Sequence, residues 1–133
     1  GVHASEPEAN PLQLYLDTLA NFDHLPDDTL VLPAHGLPFY RLHPRLAYLR
    51  QHHADRLDTL ENFCAEPTKV LSTLKVMFSR QLNDFEALLG MGEAMSHLHC
   101  LMGQDRIVRE ANDDGVWLYR ASRKSSDRQA DAA

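Results

Sequence analysis

The sequence predicts a mostly α chain that ends in a small β-hairpin, an α+β fold, on three observations. Apolar residues recur at helical spacing between Pro11 and Met102, with one short interruption of strand character at Leu30–Leu32. The period then shortens to that of strands on either side of Ala111-Asn112-Asp113-Asp114-Gly115, a hairpin signal. A long helix, two further helices and a hairpin, in that order, make a winged helix-turn-helix.

Residues 1–10 are polar and aperiodic and predict a flexible lead-in. Asn10 is a good cap and Pro11 a good first-turn residue for a helix. Its stripe is Leu12, Leu14, Tyr15, Leu16, Leu19 and Phe22, ending near His24-Leu25-Pro26. Asp27-Asp28 turn the chain into the short strand Leu30–Leu32. This strand is apolar on both faces, as in a sheet interior covered on both sides. Residues 1–66 hold no second strand to pair with it, so a sheet lying mostly outside the chain is expected.

The next helix spans Pro44 to about Asn62, with His43 as a weak cap and Leu46, Leu49, His53, Leu57, Leu60 and Cys64 on one face. Glu66-Pro67 ends it, and Thr68 is expected to cap a helix with Val70, Leu71, Leu74, Met77 and Phe78 as apolar positions. A third helical region follows Asn83 or Asp84 and carries Phe85, Leu88, Met91, Met95, Leu98, Leu101 and Met102. Gly90 and Gly92 each cost about 1 kcal/mol in a helix interior, so a break into a short and a longer helix is expected there. Gly103 reads as the C′ stop. Arg106–Arg109 and Val116–Arg120 supply the hairpin strands, and residues 123–133 read as a disordered tail.

An apolar content of 44% over 133 residues suits one domain with a real core. No apolar run approaches a membrane span, and Gly1–Ser5 lacks the basic and apolar regions of a signal peptide. The absence of a starting Met fits a trimmed chain. Cys64 and Cys100 are the only cysteines, which predicts a reduced, cytoplasmic protein with two buried thiols. The net charge of −6 is uneven: residues 1–66 carry four Arg or Lys against ten acids, residues 67–124 eight against seven. The acidic front half argues against a general nucleic-acid-binding chain.

His35 is the candidate metal ligand. Thr29 to Leu32 run as a strand into Pro33-Ala34-His35-Gly36, which presents an imidazole at a strand end, with Gly36 allowing close backbone approach. A catalytic zinc site needs about three protein ligands and an open position, and the sequence offers His35 no convincing partner. His35 is therefore either a loop histidine bonded to backbone or one ligand of a larger enzyme. Neither His52-His53 nor His97-x-His99 chelates from one helix, because such neighbours point apart. His53 reads as an interior or interdomain histidine, and His97 and His99 as polar-face residues. Cys64 and Cys100 have no basic neighbours that would activate a thiol and read as packing residues. Met77, Met91, Met95 and Met102 read as core. The helix that would enter a DNA groove, Gly90–Met102, has no Lys or Arg. Arg106, Arg109, Arg120, Arg123 and Lys124 around the wing leave only weak backbone contact open.

Leu32-Pro33-Ala34-His35-Gly36, then Leu49-Arg50-Gln51-His52-His53-Ala54-Asp55-Arg56-Leu57, then a small winged helix, together resemble the carboxy-terminal end of metallo-β-lactamase-fold hydrolases with an appended winged-helix domain. The family pattern is Pro-Gly-His-Gly, with Ala34 in place of its first Gly. The resemblance covers about residues 11–121. It implies that residues 11–43 are the terminal piece of the αββα fold, 44–66 a connecting helix and 67–122 the winged-helix domain. His35 would be the last metal ligand of the parent enzyme, and His53 and Arg56 would lie at the cleft or between domains. The family's His-x-His-x-Asp-His signature is absent from these residues, so no catalytic residue is expected in this fragment and no metal in the isolated chain. The parent would use one or two ions, most often zinc, to lower the pKa of a bound water that attacks an ester or thioester of a small molecule. Its expected partners are the upstream catalytic domain of the same chain and a second copy through the helical apolar faces, with no membrane; nucleic acid is disfavoured as a partner and stays open only as a substrate of the parent. Two rivals stay open: a stand-alone winged-helix interaction or DNA-binding module, and a pure assembly module.

Overall fold

Four helices and one hairpin follow in chain order: α1 (Pro11–Thr18), continued by a 3-10 turn (Leu19–Phe22), α2 (Leu42–Phe63), α3 (Val70–Met77), α4 (Asp84–Gly103), β1 (Ile107–Ala111) and β2 (Trp117–Ala121). The structure is a computed structural model that describes residues 1–122; the tail expected over 123–133 lies outside the described residues. The mostly helical reading with a terminal antiparallel hairpin agrees with the sequence.

α4 is the axis of the molecule, touched by α1, α2, α3 and β1. The main core gathers Leu12 of α1, Leu57, Leu60 and Cys64 from α2 and its end, Leu98, Cys100 and Leu101 of α4, and Ile107 and Tyr119 of the hairpin. A smaller core holds Leu19, Leu42 and Leu46 where the 3-10 turn meets the start of α2. Asn10 caps α1 by accepting the Gln13 N–H, as expected, and its amide also donates to the His99 carbonyl. The lead-in lies along α4, with the Val2 N–H donating to the Gly92 carbonyl at 2.8 Å.

Several local expectations need correction. Leu30–Leu32 does not form a strand: only Val31 pairs, through an isolated bridge to Phe39. Nor is it covered on both faces, since Leu30 and Leu32 are 48% and 73% exposed. α2 begins at Leu42, and its cap is neither His43 nor any neighbour in sequence. The Asp27 carbonyl accepts the N–H groups of Arg41 and Leu42, and its carboxylate accepts that of His43 at 2.9 Å. Arg41 turns the chain into α2 in the left-handed region, at φ 71°. Thr68 does not cap α3. Its N–H and carbonyl each pair with Tyr119 at 2.9 Å, adding a third short segment beside β2.

Gly90 and Gly92 do not break α4. They let neighbours come close: a Cβ on Gly92 would stand 2.9 Å from the Val2 carbonyl oxygen, and one on Gly90 would press on Phe78 at 3.1 Å. Packing against a bare helix surface offsets the helix-propensity cost. Gly103 is the last helical residue rather than the C′ stop, and the left-handed turn falls at Asp105 (φ 57°). A reciprocal capping box between Asn83 and Glu86 starts α4.

Candidate functional site

His35 sits at the tip of the loop closed by Val31 and Phe39, whose backbones exchange hydrogen bonds of 2.8 and 3.1 Å. Gly36 takes φ 90°, a conformation glycine adopts without the Cβ penalty. A Cβ there would meet nothing within 4 Å, so backbone conformation rather than space selects the glycine. The His35 imidazole is exposed and borders a groove of about 960 Å³ between this loop, the 3-10 turn and the first turns of α2. The groove is mostly apolar, with His35, Arg41 and Arg45 as its basic side chains, the Tyr15 and Tyr40 hydroxyls as further polar groups and no carboxylate among its lining residues. Leu32, Leu37 and Tyr40 stand at its edge, 73%, 85% and 60% exposed. Side chains this apolar and this exposed, grouped in one place, mark a surface that fits an interaction partner.

The structure does not bring His53 and Arg56 to His35. The His53 ring packs edge-on against Tyr15, with centroids 5.6 Å apart, and lies 5.8 Å from the His97 ring. Tyr15 also lines the groove, so the His53 cluster lies behind one groove wall. Burial pushes the His53 imidazole below its ordinary value, helped by the neighbouring His97 and His52 rings. Arg56 instead donates to the Met77 carbonyl at 2.8 Å, tying α2 to the last residue of α3. It borders a separate cleft of about 140 Å³ between those helices, together with His52, Asp55 and Val76.

His97 and His99 are not polar-face residues. They are 0% and 5% exposed, because α4 is surrounded by other elements and has no solvent face over this stretch. A signal was present in the sequence: between Ala94 and Leu101 there is no charged residue, the mark of a helix buried all round. His97 Nδ1 donates to the Glu93 carbonyl at 2.9 Å, and His99 Nδ1 to the Ala9 carbonyl at 2.8 Å. Cys64 and Cys100 are buried and free, as expected of packing residues. Burial raises the Cys64 thiol to about 11, with Glu61 adding to the effect.

Among the described residues, no group of three or more His, Cys, Asp or Glu side chains is placed to hold a metal ion. The described residues therefore do not form a complete metal site, and His35 offers one ligand without companions.

Residues 57–122 match the family described as metallo-beta-lactamase-like, C-terminal domain. Over this segment the chain is similar to that domain. A β-lactamase domain protein from Burkholderia ambifaria is 41% identical, superposes with a TM-score of 0.86, and is matched over 91% of this chain and 36% of that one. A metallo-beta-lactamase family protein from Thermus thermophilus shares the fold at 21% identity and TM-score 0.70, over 84% of this chain and 34% of that one. The chain thus spans about a third of the length of the solved structures it resembles. No curated protein matches it. The matched segment begins within α2 and takes in α3, α4 and the hairpin, so the His35 loop lies ahead of it. No helix among the described residues is long and apolar enough to cross a membrane.

Proposed function

We propose that the chain is the carboxy-terminal part of a metal-dependent, zinc-using hydrolase of the metallo-β-lactamase fold, acting on a small-molecule ester or thioester. In this reading an upstream catalytic domain roofs the groove beside His35. The observation that carries it is the isolation of His35: a histidine on a tight Gly36 turn, at the rim of a large apolar groove, without a second ligand among the described residues. A lone imidazole cannot hold a catalytic ion, so the remaining ligands belong to the part that covers Leu32, Leu37 and Tyr40. The share of each solved relative that this chain spans leaves room for such a domain.

The helical end is a winged helix in this reading, with α3, α4 and the hairpin in that order and Thr68 beside β2 as the third strand of the wing. It shapes the substrate cleft or an oligomer contact. A DNA-binding role is the weaker reading, because the hairpin's cations are already engaged. Arg106 pairs with Asp58 and Glu61, Arg109 with Glu8 and the Trp117 ring, and Arg120 with Glu110. Neutralised cations contribute little to phosphate contact.

Elemental analysis of the dialysed protein tests the proposal. The chain of residues 1–133 should retain no stoichiometric zinc, whereas the longer protein should retain one or two ions per chain and lose affinity on His35→Ala. One zinc per chain in the short form, or a longer protein whose metal ignores His35, would overturn it.

A further inference from the structure

The His97 ring is buried and the His53 ring half-buried where α2 meets α4, and each has an enclosed ring nitrogen with no partner. A carbonyl can only accept, so the His97 Nδ1 bond to the Glu93 oxygen places the ring proton on Nδ1. Nε2 is then a bare lone pair, in a side chain 1% exposed, with no donor in reach. His53 Nδ1 is likewise enclosed and unpartnered. The same cluster extends to the surface on both sides: Tyr15 of α1 covers His53, and His52 lies 5.6 Å from it and stacks on Tyr48.

We propose that His53 and His97 form an acid-sensitive latch that holds α2 and α1 against α4 only while both rings are neutral. Protonating His97 Nε2 would create a charged N–H with no acceptor in a closed site, which costs more than leaving a neutral nitrogen unpaired. Protonating His53 would place a second positive group beside it. The charged surroundings pull both ways. The Glu93 carboxylate, 3.5 Å from His97 Nδ1 on the same helix, favours a proton. Arg56 and His52 of α2 oppose it, as does the amino-terminal ammonium, although that group lies 3.7 Å from Glu93 and partly neutralises it. Burial is the largest influence on both rings and lowers both.

The direction of the pH dependence follows. An unfolded histidine takes up its proton near pH 6.5, and the folded rings do so lower. Stability is therefore full above about pH 6.5 and is lost as pH falls from there toward the folded values, where the unfolded chain binds more protons. The carboxylate pairs belong to a more acidic range. Glu86, for example, is held down to about 2, first by Arg80 and then by the Asn83 N–H.

Ring-resolved NMR titration of the chain from about pH 8 to pH 4.5 tests the latch. Both rings should titrate below the free-histidine value, and the amide signals of Leu57, Leu98 and Leu101 should broaden over the same range. A ring that titrates at or above that value, or one that titrates with those amides unchanged, would overturn the proposal. A second readout is the Tm lost between about pH 7.5 and pH 5. His97→Asn keeps an N–H for the Glu93 carbonyl but cannot ionise, so it should reduce that loss by about half or more. An unchanged loss would sink the latch, and a variant that fails to fold leaves the wild-type titration to decide.

Discussion

Around the second half of α4, from Ala94 to Leu101, side chains meet the rest of the chain on every side; around His35, as at Phe85, Leu88 and Leu89 in the first turns of α4, apolar side chains meet solvent. Leu60, Leu98 and Leu101 are at most 1% exposed, while Leu32 and Leu37, no less apolar, are 73% and 85% exposed. The two regions differ in what stands opposite them, not in composition. The hairpin returns to α2 by hydrogen bonds from Ala121 to the Cys64 carbonyl and from Arg106 to Asp58 and Glu61, and so closes its own core. Residues 19–49 bury only Leu19, Leu42 and Leu46 and leave the groove beside His35 open. The core around the second half of α4 is closed within the chain. The His35 region has the character of a half-interface, which is the physical basis for placing the proposed upstream domain there.

The comparison is broken most directly by truncating a leucine in each region. Leu98→Ala should destabilise the chain by about 2–5 kcal/mol in urea unfolding, because the cavity it leaves is enclosed by α4's neighbours. Arg106→Ala should cost about 2 kcal/mol, since Glu61 is 7% exposed and would lose its guanidinium partner. Asn83→Ala, which removes one half of the capping box, should cost about 1 kcal/mol. Leu32→Ala should change the stability of this chain by less than about 0.5 kcal/mol. If Leu32→Ala matched Leu98→Ala, the groove would not be an open face. In a longer protein that includes the upstream part, the same Leu32→Ala should become clearly destabilising, and that contrast would sharpen the half-interface reading.

The thiols report on the closed core without a mutation. With its thiol raised to about 11 and fully buried, Cys64 should react with a disulfide reagent at pH 8 only as fast as the chain opens. Reaction at the rate of a free thiol would show that the core around α4 is not closed.

Much of the architecture was legible in the residues. The amphipathic stripes placed α1, α2 and α3, the Asn10 cap with Pro11 placed the start of α1, the Asn83-Asp84 boundary placed the start of α4 within a residue, and Asn112 to Gly115 placed the hairpin turn. These are local signals, set by neighbours within a few positions, and a sequence carries them directly. The motif Pro33-Ala34-His35-Gly36 likewise singled out the residue that stands at the groove.

Where the sequence misled, a distant contact had overruled a local preference. Gly90 and Gly92 look like helix breaks until Phe78 and Val2 press against them. Thr68 looks like a cap until Tyr119 takes its backbone. Asp27 caps a helix that starts 15 positions later, which no window on the sequence reveals. His97 and His99 pass for polar-face residues until four other elements surround α4. Local preference is worth about 1 kcal/mol per position, and the packing of whole elements outweighs it. The sequence alone determined which segments are helices and where the hairpin turns, because those depend on neighbours in the chain. Only the tertiary structure decided which faces are closed, that the half-buried His53 ring meets the buried His97 ring, and that His35 stands apart from them, because each depends on residues far away in sequence.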